Sequence, residues 1–86
     1  MQAATDDARI KRLRWRCRRG TRELDALVGW WLEDAYPQAG EAQREAFDAL
    51  LDVQDPDLWD WIVGSGSAPR ADWQAIIDAI RARHRL

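Results

Sequence analysis

Asp55-Pro56-Asp57-Leu58-Trp59-Asp60-Trp61-Ile62-Val63, closed by Gly64-Ser65-Gly66, is the stretch from which the fold is read. An aspartate here caps the free amides of a starting helix, and proline at the first helical position gives up no donor that the helix needs. The glycines end it. Between those signals Leu58, Trp59, Trp61, Ile62 and Val63 make the segment apolar on most sides, which places this helix in the centre of a bundle.

On the C-terminal side, Trp73, Ile76, Ile77 and Ile80 recur at three-and-four spacing and predict a helix from about Arg70 to Arg83. On the N-terminal side, a helix near Glu41 to Leu51 buries Phe47, Leu50 and Leu51. Before it, about Arg22 to Ala35, Leu24, Leu27, Val28 and Trp31 form a single stripe, and Pro37 with Gly40 closes the element. The first helix, about Thr5 to Arg18, carries Ile10, Leu13 and Cys17 on one face and Trp15 among the arginines opposite, and Gly20 ends or bends it. Residues 1–7 are expected to be a disordered N-terminus. No alternating strand pattern, repeat, low-complexity tract or dividing linker interrupts the chain. The expected fold is all-α, a compact single-domain bundle of about five short helices over residues 1–86.

With 86 residues, the chain is near the small end of what folds alone, and its 47% hydrophobic content and six tryptophans supply the core. The single cysteine excludes an internal disulfide. No charged start followed by an apolar run marks a secretory signal, and no apolar run approaches the roughly 20 residues that cross a bilayer. The expected compartment is the cytoplasm.

Charge is segregated rather than large. The net charge is -2, yet Arg9 to Arg22 holds eight Lys/Arg and no acid, while Glu23 to Asp60 holds eleven acids against the single base Arg44. Like charges on a short helix repel one another, so the basic run is read as a surface held for a partner outside the chain. At its end, Gly20 allows close backbone approach and a positive φ, and Glu23, favoured by the dipole of the next helix, is free to point outward beside Arg19. Arg12, Arg14, Trp15, Arg16, Arg18 and Arg19 also suit phosphate gripping and base stacking, a nucleic-acid reading. Against it stand a pI of about 5.3 and the acidic flank, and for any single arginine a plain solvated face suffices. A protein partner is favoured.

Catalytic chemistry finds little support. Cys17 lies in an arginine field that favours a thiolate, but it shares the core face of Ile10 and Leu13, and the only histidine is His84 near the C-terminus. Asp52, Asp55, Asp57 and Asp60 have the density of a calcium loop without its central glycine or terminal glutamate, so capping and solubility explain them better. One Cys and one His do not make a zinc site, and no glycine loop cradles a phosphate. The chain is not expected to be an enzyme.

Arg19-Gly20-Thr21-Arg22-Glu23 fits an RGxxE motif. With Trp15, Cys17, Leu24-Asp25, Leu50-Leu51 and Asp55-Pro56-Asp57-Leu58-Trp59-Asp60-Trp61, the sequence resembles the SdhE family, the flavinylation factors of succinate dehydrogenase, over roughly Arg12 to Arg83. The resemblance implies an all-helical cytoplasmic chaperone. It would bind the flavoprotein subunit of succinate dehydrogenase, in some lineages fumarate reductase, and promote covalent attachment of FAD to a histidine of that client. It also implies that Arg19, Gly20 and Glu23, with Arg12, lie at the client interface. Trp15, Arg18 and Arg22 join them as expected partner-binding residues. No stably bound FAD or metal is expected, and the free chain is expected to be a monomer. The alternative is a small nucleic-acid-binding or toxin-antitoxin-type regulatory protein using the basic N-terminal helix. Trp30-Trp31 and Trp59 with Trp61 are heavier than that family's usual phenylalanine or leucine and point to a bulkier core. Trp15 and Trp30, if exposed, are natural interface anchors.

Overall fold

The computed structural model describes the backbone of residues 2–86 and the side chains of residues 8–86. The N-terminal disorder expected over residues 1–7 falls outside the fully described part. Five α-helices follow one another: α1 (Gln2–Arg16), α2 (Arg22–Trp30), α3 (Glu41–Leu50), α4 (Asp55–Val63) and α5 (Ala71–His84). No strand occurs among the described residues. Among the described residues, no helix is long and apolar enough to cross a membrane.

Thr21 starts α2. Its backbone is extended, at φ -128° and ψ 153°, and its Oγ1 accepts the Leu24 N–H at 3.2 Å, satisfying one of the free first-turn donors. The stripe of Leu24, Leu27 and Val28 is buried as its spacing requires. The helix does not run straight on to Ala35, however. Trp31–Ala35 is one π-helical turn, in which the Tyr36 N–H reaches back five residues to the Trp31 carbonyl, and Tyr36–Gln38 tightens into a 3₁₀ turn. Trp31, Leu32 and Tyr36, which span this widened turn, are all buried in the core. Trp31 stacks on Phe47 of α3 with centroids 4.6 Å apart, and Tyr36 meets the same ring edge-on at 6.1 Å.

The centre of the bundle is α5, not α4. α5 packs against α2, α3 and α4 and buries Ile76, Ile77 and Ile80. α4 buries only Leu58 and Ile62; Trp59 and Val63 are exposed, and Trp61 is half-buried against Trp73 at 6.1 Å. An apolar count along α4 misjudges it because much of that surface belongs to tryptophans that lie on the outside. Trp59 therefore does not enlarge the core, whereas Trp31 lies in it and Trp61 packs against its edge. Trp30 is not an exposed anchor either: it is half-buried, edge-on to His84 at 5.5 Å. Gly64 closes α4 at φ 88°, where a side chain would be strained, and the Ser65 N–H returns to the Asp60 carbonyl at 2.8 Å.

Candidate functional site at the Gly20 corner

Between α1 and α2 the chain turns a corner through residues 17–21, and two carboxylates, one near in the chain and one distant, fix it. The Gly20 N–H donates to Asp55 Oδ2 at 2.7 Å, across 35 residues of sequence. Arg19 Nε donates to Asp55 Oδ1, also at 2.7 Å, and the Arg19 N–H donates to Asp25 Oδ1. The rest of the Arg19 guanidinium reaches the Leu51 carbonyl at 2.8 Å, the Arg16 carbonyl at 3.2 Å and the Val53 carbonyl. Arg19 thus bridges carbonyls of the segment that follows α3 and the first carboxylate of α4, a use that suits its planar, forked donors. Its side chain is only 10% exposed.

Two expectations change here. Asp55 does not cap its own helix; Gln54 holds that position without a side-chain bond, and the Asp55 carboxylate turns to Arg19 and Gly20 instead. Gly20 does not need a positive φ, which among glycines is found only at Gly64. What it needs is the absence of a side chain: a Cβ would lie 3.1 Å from Asp55 Oδ2, tighter than ordinary packing.

The segregated charges also turn out to answer each other. Arg9 pairs with Glu41, Arg14 with Glu33, Arg16 with Asp48 and Asp52, and Arg19 with Asp55. The Arg14 guanidinium holds the Glu33 carboxyl below its ordinary range. Half of the basic run is therefore matched to the acidic half of the same chain, and a partner is not needed to explain those four arginines. Periodicity places α1 correctly but is blind to which acids fold back onto it.

Lys11, Arg12, Arg18 and Arg22 are left without an acidic partner among the described residues, and Glu23 without a basic one. Arg12 lines a hollow of about 830 Å³ between α1 and α3, together with Arg9, Arg16 and Glu41. On another face of α1, Trp15 is 70% exposed with the Arg18 guanidinium over its ring at 4.8 Å, and Lys11 and Arg14 complete that shelf. Gly20, Arg22 and Glu23 are all exposed at the corner. Glu23 makes no bond to Arg19; it lines a third hollow, of about 390 Å³, with Thr21, Leu24, Asp55, Pro56 and Trp59. The corner thus brings Arg19 and Gly20 together on Asp55, Trp15 and Arg18 together on α1, and Glu23 beside Trp59, while Arg12 opens toward α3. Sequence reading missed Asp55 as the anchor and Trp59 as a surface residue. No local spacing signals either one.

Cys17 is buried, and burial pushes its thiol up to about 11 against the opposing pull of Arg19 and Arg16. It is a core residue rather than a nucleophile. No group of three His, Cys, Asp or Glu among the described residues is placed to hold a metal ion. Asp52 and Asp55 are engaged by Arg16 and Arg19.

Comparison with known proteins places this architecture. The family model described as flavinator of succinate dehydrogenase matches residues 11–84. A protein of Xylella fastidiosa named FAD assembly factor SdhE is 43% identical over 77 residues, which is 90% of this chain and 79% of that protein. The proteins of the same name from Vibrio cholerae and Aliivibrio fischeri are 37% and 35% identical, over 98% and 100% of this chain and 94% and 95% of theirs. With a matched length that takes in the end of α1, the Gly20 corner and α2 to α5, the chain belongs to the succinate dehydrogenase flavinators, the SdhE family.

Proposed function

We propose that this chain is a non-enzymatic FAD assembly factor that docks on the flavoprotein subunit of succinate dehydrogenase, and on that of fumarate reductase where present, and promotes covalent flavin attachment there. The observation that carries the reading is the Gly20 corner: an exposed turn held rigid from behind by Asp25 and Asp55, with Arg22 and Glu23 unpaired in front of it. A preorganised corner loses little freedom on docking, which favours affinity. Arg12, Trp15 and Arg18 extend the surface along α1, where an exposed tryptophan under a guanidinium is the kind of residue that dominates interface energetics. Arg19 acts on the partner by shaping the corner, since its guanidinium is engaged inside the chain.

In this reading the bond to FAD forms in the client, between the flavin and a client histidine, and the factor orders the client's domains around them. The chain supplies no nucleophile: the Cys17 thiol is buried and protonated. It acts in the cytoplasm as a monomer when free and retains no FAD of its own.

The test is covalent flavin on the client subunit, read by in-gel fluorescence after denaturation, with Gly20→Arg and Glu23→Ala variants that keep native helicity. Both are expected to lose most of the signal. Undiminished covalent flavin with either variant removes that residue from the mechanism. The nucleic-acid alternative is weakened by the internal pairing of Arg9, Arg14, Arg16 and Arg19. A mobility shift at low salt that fades steeply as salt rises would revive it.

A further inference from the structure

We propose that the hollow between Glu23 and Trp59 seats one large apolar side chain of the client flavoprotein, carried next to a lysine or arginine that pairs with Glu23. This rests on the docking function argued above and extends the surface from the motif along the exposed side of α4.

The hollow's wall is apolar on one side and acidic on the other. Pro56 and Trp59 are both exposed and form its apolar side, with the edge of Leu24 at the base. Trp59 keeps 39% of its surface in solvent although it sits one residue after the buried Leu58. An exposed indole costs solvation free energy that burial against a partner recovers. Two acids line the same hollow, and they are not equivalent. Asp55 is already answered by Arg19 and by the Gly20 amide, so its charge is spent inside the chain. Glu23 has no ion pair or hydrogen bond among the described residues. The single unanswered charge at the rim is thus negative, and it asks for a cation beside whatever apolar group enters. The same charge disfavours the pyrophosphate of free FAD as the occupant. Thr21 and Asp55 belong to both the hollow and the Gly20 corner, so a group seated here lies against the corner too.

The experiment is calorimetric titration of the apo flavoprotein subunit of succinate dehydrogenase with the full chain and its variants, at two salt concentrations. Trp59→Ser is expected to weaken binding by about tenfold or more, as removal of a central aromatic anchor does. Glu23→Gln is expected to weaken it by about threefold at low salt and less at high salt, where screening shortens the reach of the charge. Should Trp59→Ser lose helicity, Trp59→Lys keeps a helix-compatible exposed residue there and sets a cation against the expected one, with the same or greater loss. Hydrogen exchange on the client should show a segment with a Lys or Arg beside an apolar residue that the wild-type chain protects and Trp59→Ser does not.

Binding by both Trp59 variants at wild-type strength, while Gly20→Arg abolishes it, overturns this proposal and leaves the docking function standing. Failure of the wild-type chain to bind the flavoprotein overturns both. Protection of an acidic client segment, a dimer of the free chain that Trp59→Ser dissociates, or tight binding of FAD alone that Trp59→Ser removes, each assigns the hollow to a different occupant and overturns the proposal.

Discussion

Gly20 and Asp55 meet at 2.7 Å between the glycine amide and carboxylate Oδ2, and a Cβ on that glycine would lie 3.1 Å from the same oxygen. One contact therefore demands both the acid and the missing side chain. It fixes where the turn after α1 sits relative to the start of α4, and with it the exposed positions of Arg22 and Glu23.

Gly20→Ala should lower stability by about 1 kcal/mol, because the carboxylate must retreat and its bond to the amide lengthens. For a domain of this size, that is a fall in melting temperature of about 4–8 °C. Thermal unfolding followed by circular dichroism measures it. An unchanged melting temperature would show that the corner is not held as described.

Asp55→Ala should cost more, about 2 kcal/mol, since it strands the nearly buried Arg19 guanidinium as well as the Gly20 amide. Asp55→Asn keeps one acceptor and should fall between wild type and alanine. Urea unfolding of the three chains ranks them. An asparagine chain as stable as wild type would contradict the shared-carboxylate geometry, in which both oxygens accept from N–H donors.

Trp15→Ala separates binding from folding. The indole is 70% exposed and contributes little to the core, so stability should stay within about 0.5 kcal/mol of wild type. Affinity for the client flavoprotein should nevertheless fall about tenfold. Equal affinity for both chains would take Trp15 off the interface.

Cys17 gives a pH signature. Its thiol titrates at about 11 when folded against 9.0 for the ordinary group, so the folded state holds the proton more tightly. Stability is accordingly full below pH 9 and declines as pH rises from there through 11. Cys17→Ala should remove the thiol's share of that decline and leave the share of the Tyr36 phenol, which burial also pushes up. In the native chain at pH 8 the thiol should react with a disulfide reagent far more slowly than it does in urea, and equal rates would place Cys17 at the surface.

The helices, their buried stripes and the core role of Cys17 were legible in the chain because each depends on neighbours three or four residues away. Ile76, Ile77 and Ile80, or Leu24, Leu27 and Val28, recur at the helical period and fold inward accordingly. The same local rule missed the π turn at Trp31–Ala35, although Trp31 is buried as its spacing requires, and it misjudged Trp59 on α4, an apolar residue that stays in solvent. The family motif was legible as well, since Arg19, Gly20 and Glu23 lie within five residues of chain.

What the amino-acid sequence determined by itself is an all-helical domain with a basic first helix and an Arg-Gly corner. Only the tertiary structure decided what that corner is for physically: Asp55, 35 residues away, locks it, four arginines of the basic run spend their charge on acids of α3, α4 and the segments beside them, and Trp59 comes to rest next to Glu23. Helical periodicity is a short-range property of the backbone, whereas a carboxylate's choice among distant donors depends on how the helices pack in space. No spacing along the chain encodes that choice.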